Sequence, residues 1–255
     1  MEPIGDMSDQ PFSCAYLPAS RVNETRIELS YRSTERDQRE RAANEFGALM
    51  MSIAHVGSHG GFSGDRFHPR DSNVTVREAV AGSSEFSWSF AHANVGSGLV
   101  IALENLAHGL HFRDRDLNGV KVWTALSGQS HDGRMPPSIK CYQPVPFEYL
   151  YDVKSPTVVV DVEYLDRQEA QRLQVCRGAF DAWYAVAAAG GFADEEFRPS
   201  GEAAIFVEND LQITSVGMQV VYARAQVGES GFNVLTNMLT HFHHSVARLE
   251  LVEIA

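Results

Sequence analysis

Apolar and polar positions along this chain change their spacing several times, and each change marks an element. RIELSY, residues 26–31, alternates with the period of two that a half-buried strand shows, whereas TVVVDVEYL, residues 157–165, is a β-branched run of the fully buried kind. Each leads into helical spacing. Ala42, Phe46, Leu49, Met50 and Ile53 share one face in the first case, and Leu173, Cys176, Phe180, Trp183 and Ala187 do so in the second. Asp166 and Glu169 are spaced like a capping pair at the start of the second helix. Both helices run into Gly-Gly, at 60–61 and 190–191, and glycine accepts the left-handed conformation that satisfies a helix's last carbonyls.

Two strand candidates follow each glycine pair: NVTVREAV and EFSWSFAHANV in the first half, AAIFVEND and GMQVVYARAQV in the second. A second helix then carries Leu99, Leu103, Leu106 and Leu110 on one face, matched later by Phe232, Leu235, Leu239 and Phe242. GVKVWTAL and ARLELVEI close the halves as strands. The order is β-α-β-β-α-β, twice.

The halves also repeat in letters. GGFSGDRFHP, from Gly60, and GGFADEEFRP, from Gly190, share five of ten residues at an offset of 190 − 60 = 130. AHANVGSGLVIALENLAHGLH, from Ala91, and ARAQVGESGFNVLTNMLTHFH, from Ala223, share seven of 21 without a gap at an offset of 223 − 91 = 132. Matching periods and near-equal offsets predict an internal duplication. The expected fold is α+β: two tandem ferredoxin-like copies with antiparallel sheets, related by a pseudo-two-fold. The copies span 26–126 and 157–255, after an extension over 1–25 and around a connecting segment over 127–156 that holds five of the ten prolines.

At 255 residues and 44% hydrophobic, the chain can bury a substantial core. Its first 20 residues lack the basic and apolar regions of a secretory signal, and no apolar run nears the roughly 20 residues of a membrane span, so a cytoplasmic location is expected. Three widely spaced cysteines, Cys14, Cys141 and Cys176, suggest reduced thiols. The formal charge of −12 is uneven. Residues 26–126 hold 11 basic and 12 acidic groups, a net of −1, while 157–255 hold 6 and 14, a net of −8. That speaks against nucleic acid or membrane as a direct partner and favours a basic protein.

Motifs for nucleotide loops, a serine elbow or a zinc helix do not occur, and no catalytic residue or cofactor is assigned. The best metal candidates are His55 and His59, four apart at the end of the first helix, with His68 after the glycine turn. Glu104, His108 and His111 form a polar stripe whose counterpart reads Thr236, Thr240 and His243, the pattern of a solvated or interface-facing helix side. His241 to His244, in HFHH, read as a helix end near an interface.

Shared positions in a duplicated scaffold are structural, so a specialised role belongs where the copies differ. Asp65 and Arg66 become Glu195 and Glu196, and with Asp194, Glu202, Glu208 and Asp210 they make six carboxylates on one loop and the adjoining strand end. Such a cluster steers a basic partner, and Phe192 and Phe197, with Tyr142, Phe147, Tyr149 and Tyr151 of the connecting segment, could supply apolar anchors.

An acidic α+β chain with these Gly-Gly-Phe loops and no catalytic motif resembles the immunity proteins encoded beside polymorphic toxins, including those delivered by type VI secretion. The resemblance implies a toxin partner in the same cell, for instance a nuclease, neutralised by blocking its active site or assembly, and it is compatible with a homodimer. Two alternatives stay open: an enzyme with a cleft between the copies, using small-molecule or metal chemistry, and a ligand-sensing or oligomerising module.

Overall fold

The computed structural model of the chain describes residues 13–18, 23–31, 36–64, 67–79, 85–113, 117–124, 147–149, 157–193, 210–223 and 227–255. The first unit contains strands Ser13–Pro18 (β1), Glu24–Tyr31 (β2), Asn73–Ala79 (β3), Glu85–Ala93 (β4) and Leu117–Thr124 (β5), with helices Arg36–Ser58 (α1) and Gly98–Arg113 (α2). The second contains strands Phe147–Tyr149 (β6), Thr157–Tyr164 (β7), Asp210–Ile213 (β8), Gly217–Ala223 (β9) and Leu249–Ile254 (β10), with helices Ala170–Ala188 (α3) and Glu229–Ser245 (α4).

The protein is therefore α+β, built from two similar sheet and helix units. Strand order is β1-β5-β2-β4-β3 in one sheet and β6-β10-β7-β9-β8 in the other. Four strands of each are antiparallel, and a fifth joins one edge in parallel, β1 on β5 and β6 on β10. These two parallel strands lie in the 1–25 extension and the proline-rich connecting segment, where no alternation announces them.

Period-two patterning decides which face of each sheet is covered. In β2, Ile27, Leu29 and Tyr31 turn inward to the core, and in β7 Val160, Val162 and Tyr164 do the same. The helices lie between the sheets, with α1 packed on α3. One continuous apolar core runs through both units, including Phe46, Met50, Leu103, Phe180, Trp183, Leu235 and Phe242. Fully burying each such side chain stabilises by roughly 1.5–3 kcal/mol, which makes the two units one body. Among the described residues no helix is long and apolar enough to cross a membrane.

The glycine turns behave as their sequence predicts. Gly60 and Gly190 hold φ of 77° and 81°, while Gly61 N–H bonds Val56 O at 3.1 Å and Gly191 N–H bonds Val186 O at 2.9 Å. That is the six-residue closure of a helix ending on a left-handed glycine.

Two local expectations are corrected, and a third lies almost wholly outside the described residues. The capping pair is not formed: α3 starts three residues beyond the spacing suggested, with Glu169 as an N-cap that makes no side-chain cap bond. Leu165 N–H and Gln168 N–H bond Arg248 O and Ser215 O instead, so tertiary ties hold the chain extended there. Of the solvated and interface-facing readings of the polar stripe, the solvated one fails at Thr236 and Thr240: both are buried, their hydroxyls donating back to Asn233 O and Thr236 O within α4. The strand beside β9 starts at Asp210, and the rest of AAIFVEND, residues 203–209, lies outside the described residues.

Candidate functional site

Matching registers allow the outer faces of the two sheets to be compared position by position. In the first, Glu28 on β2 stands opposite Lys121 on β5 and Ser87 on β4. In the second, Asp161 on β7 stands opposite Glu253 on β10 and Gln219 on β9.

The chemistry at those positions differs in sign. Glu28 accepts from Lys121 Nζ at 2.8 Å and from Arg26 Nη2 at 3.0 Å, and the Arg26 guanidinium lies 5.0 Å from the centre of the Trp123 ring. The Lys121 ammonium is held above its ordinary range by the hydrogen bond to Glu28 and by its charge. In the second unit Val159 and Glu253 replace the two cations. Asp161 keeps one neutral partner, Gln219 Nε2, which donates at 2.7 Å. Among the described residues no lysine or arginine pairs with Asp161 or Glu253. Like charges opposed across a ladder disfavour the pair, so among the described residues the face carries negative charge that no cation balances. A shallow groove of about 530 Å³ runs over it, lined by Asp161, Glu163, Gln212, Thr214, Gln219 and Glu253.

Of the partner-binding residues expected from sequence, Asp194, Glu195, Glu196, Phe197, Glu202 and Glu208 lie outside the described residues. Asp210 opens β8, opposite Val221 on the edge of this sheet, two residues before Gln212 of the groove. Phe192 corrects its expected role as a surface anchor: it is 1% exposed and stacks on Trp183 at 5.8 Å, with Phe62 of the first unit 6.5 Å away. Its turn drives it into the core between the units, where it is scaffold. Sequence reasoning missed Asp161, Glu163 and Glu253, and the exchange of Lys121 for Glu253 was the available signal.

The histidines assemble more closely than their spacing suggested. His55 and His59 of α1 lie 5.0 Å apart between ring centres, His59 and His241 of α4 5.4 Å, His68 and His244 4.4 Å, and His243 and His244 5.0 Å. Six of the ten histidines thus meet where the end of α1, the 3-10 turn Pro69–Asp71 and the end of α4 come together. His59 is pushed down to about 4, first by burial and then by His55 and His241. Burial also lowers His68, His241, His243 and His244. Among the described residues no three histidine, cysteine or carboxylate side chains are placed to hold one metal ion.

His92 sits apart, with its Nε2 3.0 Å from Thr25 Oγ1. The distance suits a nucleophile and its base, yet Thr25 is fully buried and His92 is buried too, so this is a satisfied core histidine. Glu104 and His108 of the polar stripe face each other at 3.9 Å.

No protein-family model and no curated protein matches the chain. Among solved structures it is similar to a candidate M16-like peptidase from Alicyclobacillus acidocaldarius, with 10% identity, 91% of this chain and 77% of that one covered, and a TM-score of 0.21. It is also similar to a conserved protein from Enterococcus faecalis V583, with 8% identity, 90% and 76% covered, and a TM-score of 0.18. A third is the periplasmic protease PqqL from Escherichia coli, with 11% identity, 88% and 34% covered, and a TM-score of 0.17.

Proposed function

We propose that this chain is an acidic binding protein that holds a basic protein partner on the outer face of its second sheet. Its loops and charge favour one version of that role: a cytoplasmic immunity protein that neutralises a basic toxin enzyme, such as a nuclease, by occluding its active site or assembly. The observation that carries the reading is the exchange at one register position, where the Lys121 that neutralises Glu28 becomes the Glu253 that faces Asp161. A face that forgoes its own cation is prepared to receive another protein's, and such complementarity acts chiefly on encounter rate and partner choice. The acidic run from Asp194 to Asp210 leads in sequence to β8, whose Asp210 opens the edge strand of the same sheet.

We also infer that the two units are tandem copies of one ferredoxin-like βαββαβ plan. The shared strand order and the shared offsets of the glycine turns support this, and duplication explains how one copy could keep its ion pairs while the other changed sign.

The test is recovery of a partner from the source cell with the tagged chain. The expected result is a basic protein that loses its enzymatic activity in the complex, dissociates as salt rises, and binds the Asp161→Asn, Glu163→Gln, Glu253→Lys variant at least tenfold more weakly. Equal binding by that variant, or binding indifferent to salt, would overturn the proposal.

A further inference from the structure

We infer that the crossing of α1 and α4 is a pH-gated seam between the two units, closed by neutral imidazoles and opened when they take up protons. The pseudo-symmetry supplies the control. Offsets of 130 at the glycine turn and 132 along the second helices match His59 with Ala189 and His241 with Gly109. At the second crossing Ala189 lies directly on Gly109, where an added Cβ would stand 3.1 Å from Ala189 O. Nothing in that pair titrates. At the first crossing two rings fill the space, His59 against His241 and Phe242, each 5.4 Å away.

The ring nitrogens show why a proton is unwelcome while the seam is closed. Nδ1 of His59 and Nδ1 of His241 are both buried without a partner, so a new N–H at either atom would have no acceptor, and the Pro69 backbone bond to the His241 ring offsets burial only in part. Nδ1 of His68 accepts from Arg70 N–H, and Nδ1 of His243 accepts from Leu249 N–H, both at 3.2 Å. Protonating either nitrogen breaks a bond that holds the 3-10 turn or the start of β10. The charged surroundings add to this. His55 and His59 approach from α1, His68, Arg70 and Asp71 from the following turn, His241, His243 and His244 from α4, and Arg248 from the approach to β10. On the α3 side, the position of Gly178 lies against His55 Nε2, with Arg177 and Asp181 nearby in sequence. Asp71 already faces Arg70 at 3.5 Å, so several imidazolium charges would confront two arginines and little negative charge.

The direction follows from linkage. A histidine whose folded value is depressed adds stability above its ordinary 6.5, and this is lost as pH falls from 6.5 towards the folded value of about 4. Opening would expose the ends of α1 and α4 while the Ala189 and Gly109 crossing stays closed.

Hydrogen exchange of the full chain at pH 7.5 and 5.0, corrected for intrinsic rates, tests this. Protection over residues 55–61 and 237–246 should fall by about 25-fold from His59 alone, while 105–110 and 185–193 keep theirs. The double variant His59→Ala, His241→Ala should lose that difference. Should it fail to fold, proton titration of the wild-type rings decides, with His59 expected to titrate below 5. Equal loss at both crossings, an unchanged pH response in the variant, or a His59 ring titrating near 6.5 would overturn the seam.

Discussion

Asn105 and Asn237 make the same reach in opposite directions. Asn105, on α2, donates Nδ2 across the units to Gly191 O at 3.2 Å and Ala193 O at 2.9 Å, and Asn237, on α4, donates to Gly61 O at 3.3 Å. Each unit thus holds the other's glycine turn, and both asparagines are almost fully buried. A buried carbonyl that loses its donor costs about 1–3 kcal/mol. Asn105→Ala strands two carbonyls and should lower stability by about 2 kcal/mol, tempered because its own Oδ1 already lacks a partner. Asn237→Ala strands one and should cost about 1 kcal/mol. Urea unfolding would show this order, with midpoints shifted and slopes unchanged.

The Cys176 thiol should be inert in the folded protein. It is 1% exposed, and burial pushes it up to about 11, while the neighbouring Tyr164 hydroxyl is driven above its ordinary range by the same burial. Alkylation requires the thiolate and access to it. Iodoacetamide at pH 8 should leave Cys176 unmodified in the native chain and label it once urea unfolds the second unit, with peptide mass spectrometry as the readout. Rapid native labelling would contradict the packing of α3 on β7.

Much of this architecture is legible in the spacing of apolar residues, because helices such as α1 and strands such as β2 bury one face. The period of Phe46, Met50 and Ile53 in α1, or of Ile27 and Leu29 in β2, needs no tertiary information. The parallel edge strands were not legible: β6 is three residues long within a proline-rich segment, and its pairing depends on where β10 ends up. The site was legible only in part for a similar reason. Asp161 and Glu253 are 92 residues apart, so nothing local marks them as opposed, and their meaning comes from a register shared with Glu28 and Lys121. Likewise the spacing of His55 and His59 pointed to one helix end, while a second ring against His59, His241, arrives from α4.

Acid should weaken the whole fold through the same histidines. The depression of His59 from 6.5 to about 4 corresponds to at most about 3 kcal/mol, present above pH 6.5 and lost on descent towards 4. Guanidinium unfolding between pH 7.5 and 4.5 should give the wild type a steeper decline than His59→Ala, by up to that amount. The variant begins less stable at pH 7.5 because a packed ring is gone, so the two curves should converge as pH falls. Parallel curves would assign the acid sensitivity to other groups.

Exchanging the charges between the two sheets separates what each pair does. Lys121→Glu would copy the second unit's chemistry into the first, placing a second carboxylate beside the nearly buried Glu28 with only Arg26 left to balance it. The melting temperature should fall, and more at low salt than at high, since the new repulsion is partly screened. Glu253→Lys does the reverse: it supplies Asp161 with the cation that Lys121 gives Glu28, and Gln219 still donates from the other side. Its melting temperature should hold or rise. If the acidic face serves a basic partner, the stabilised variant is the one that loses binding, which a merely structural role for Glu253 would not produce. Paired measurements of melting temperature and partner affinity across 50 and 500 mM salt read both effects, and a Glu253→Lys chain that melts lower yet binds as well would overturn this account.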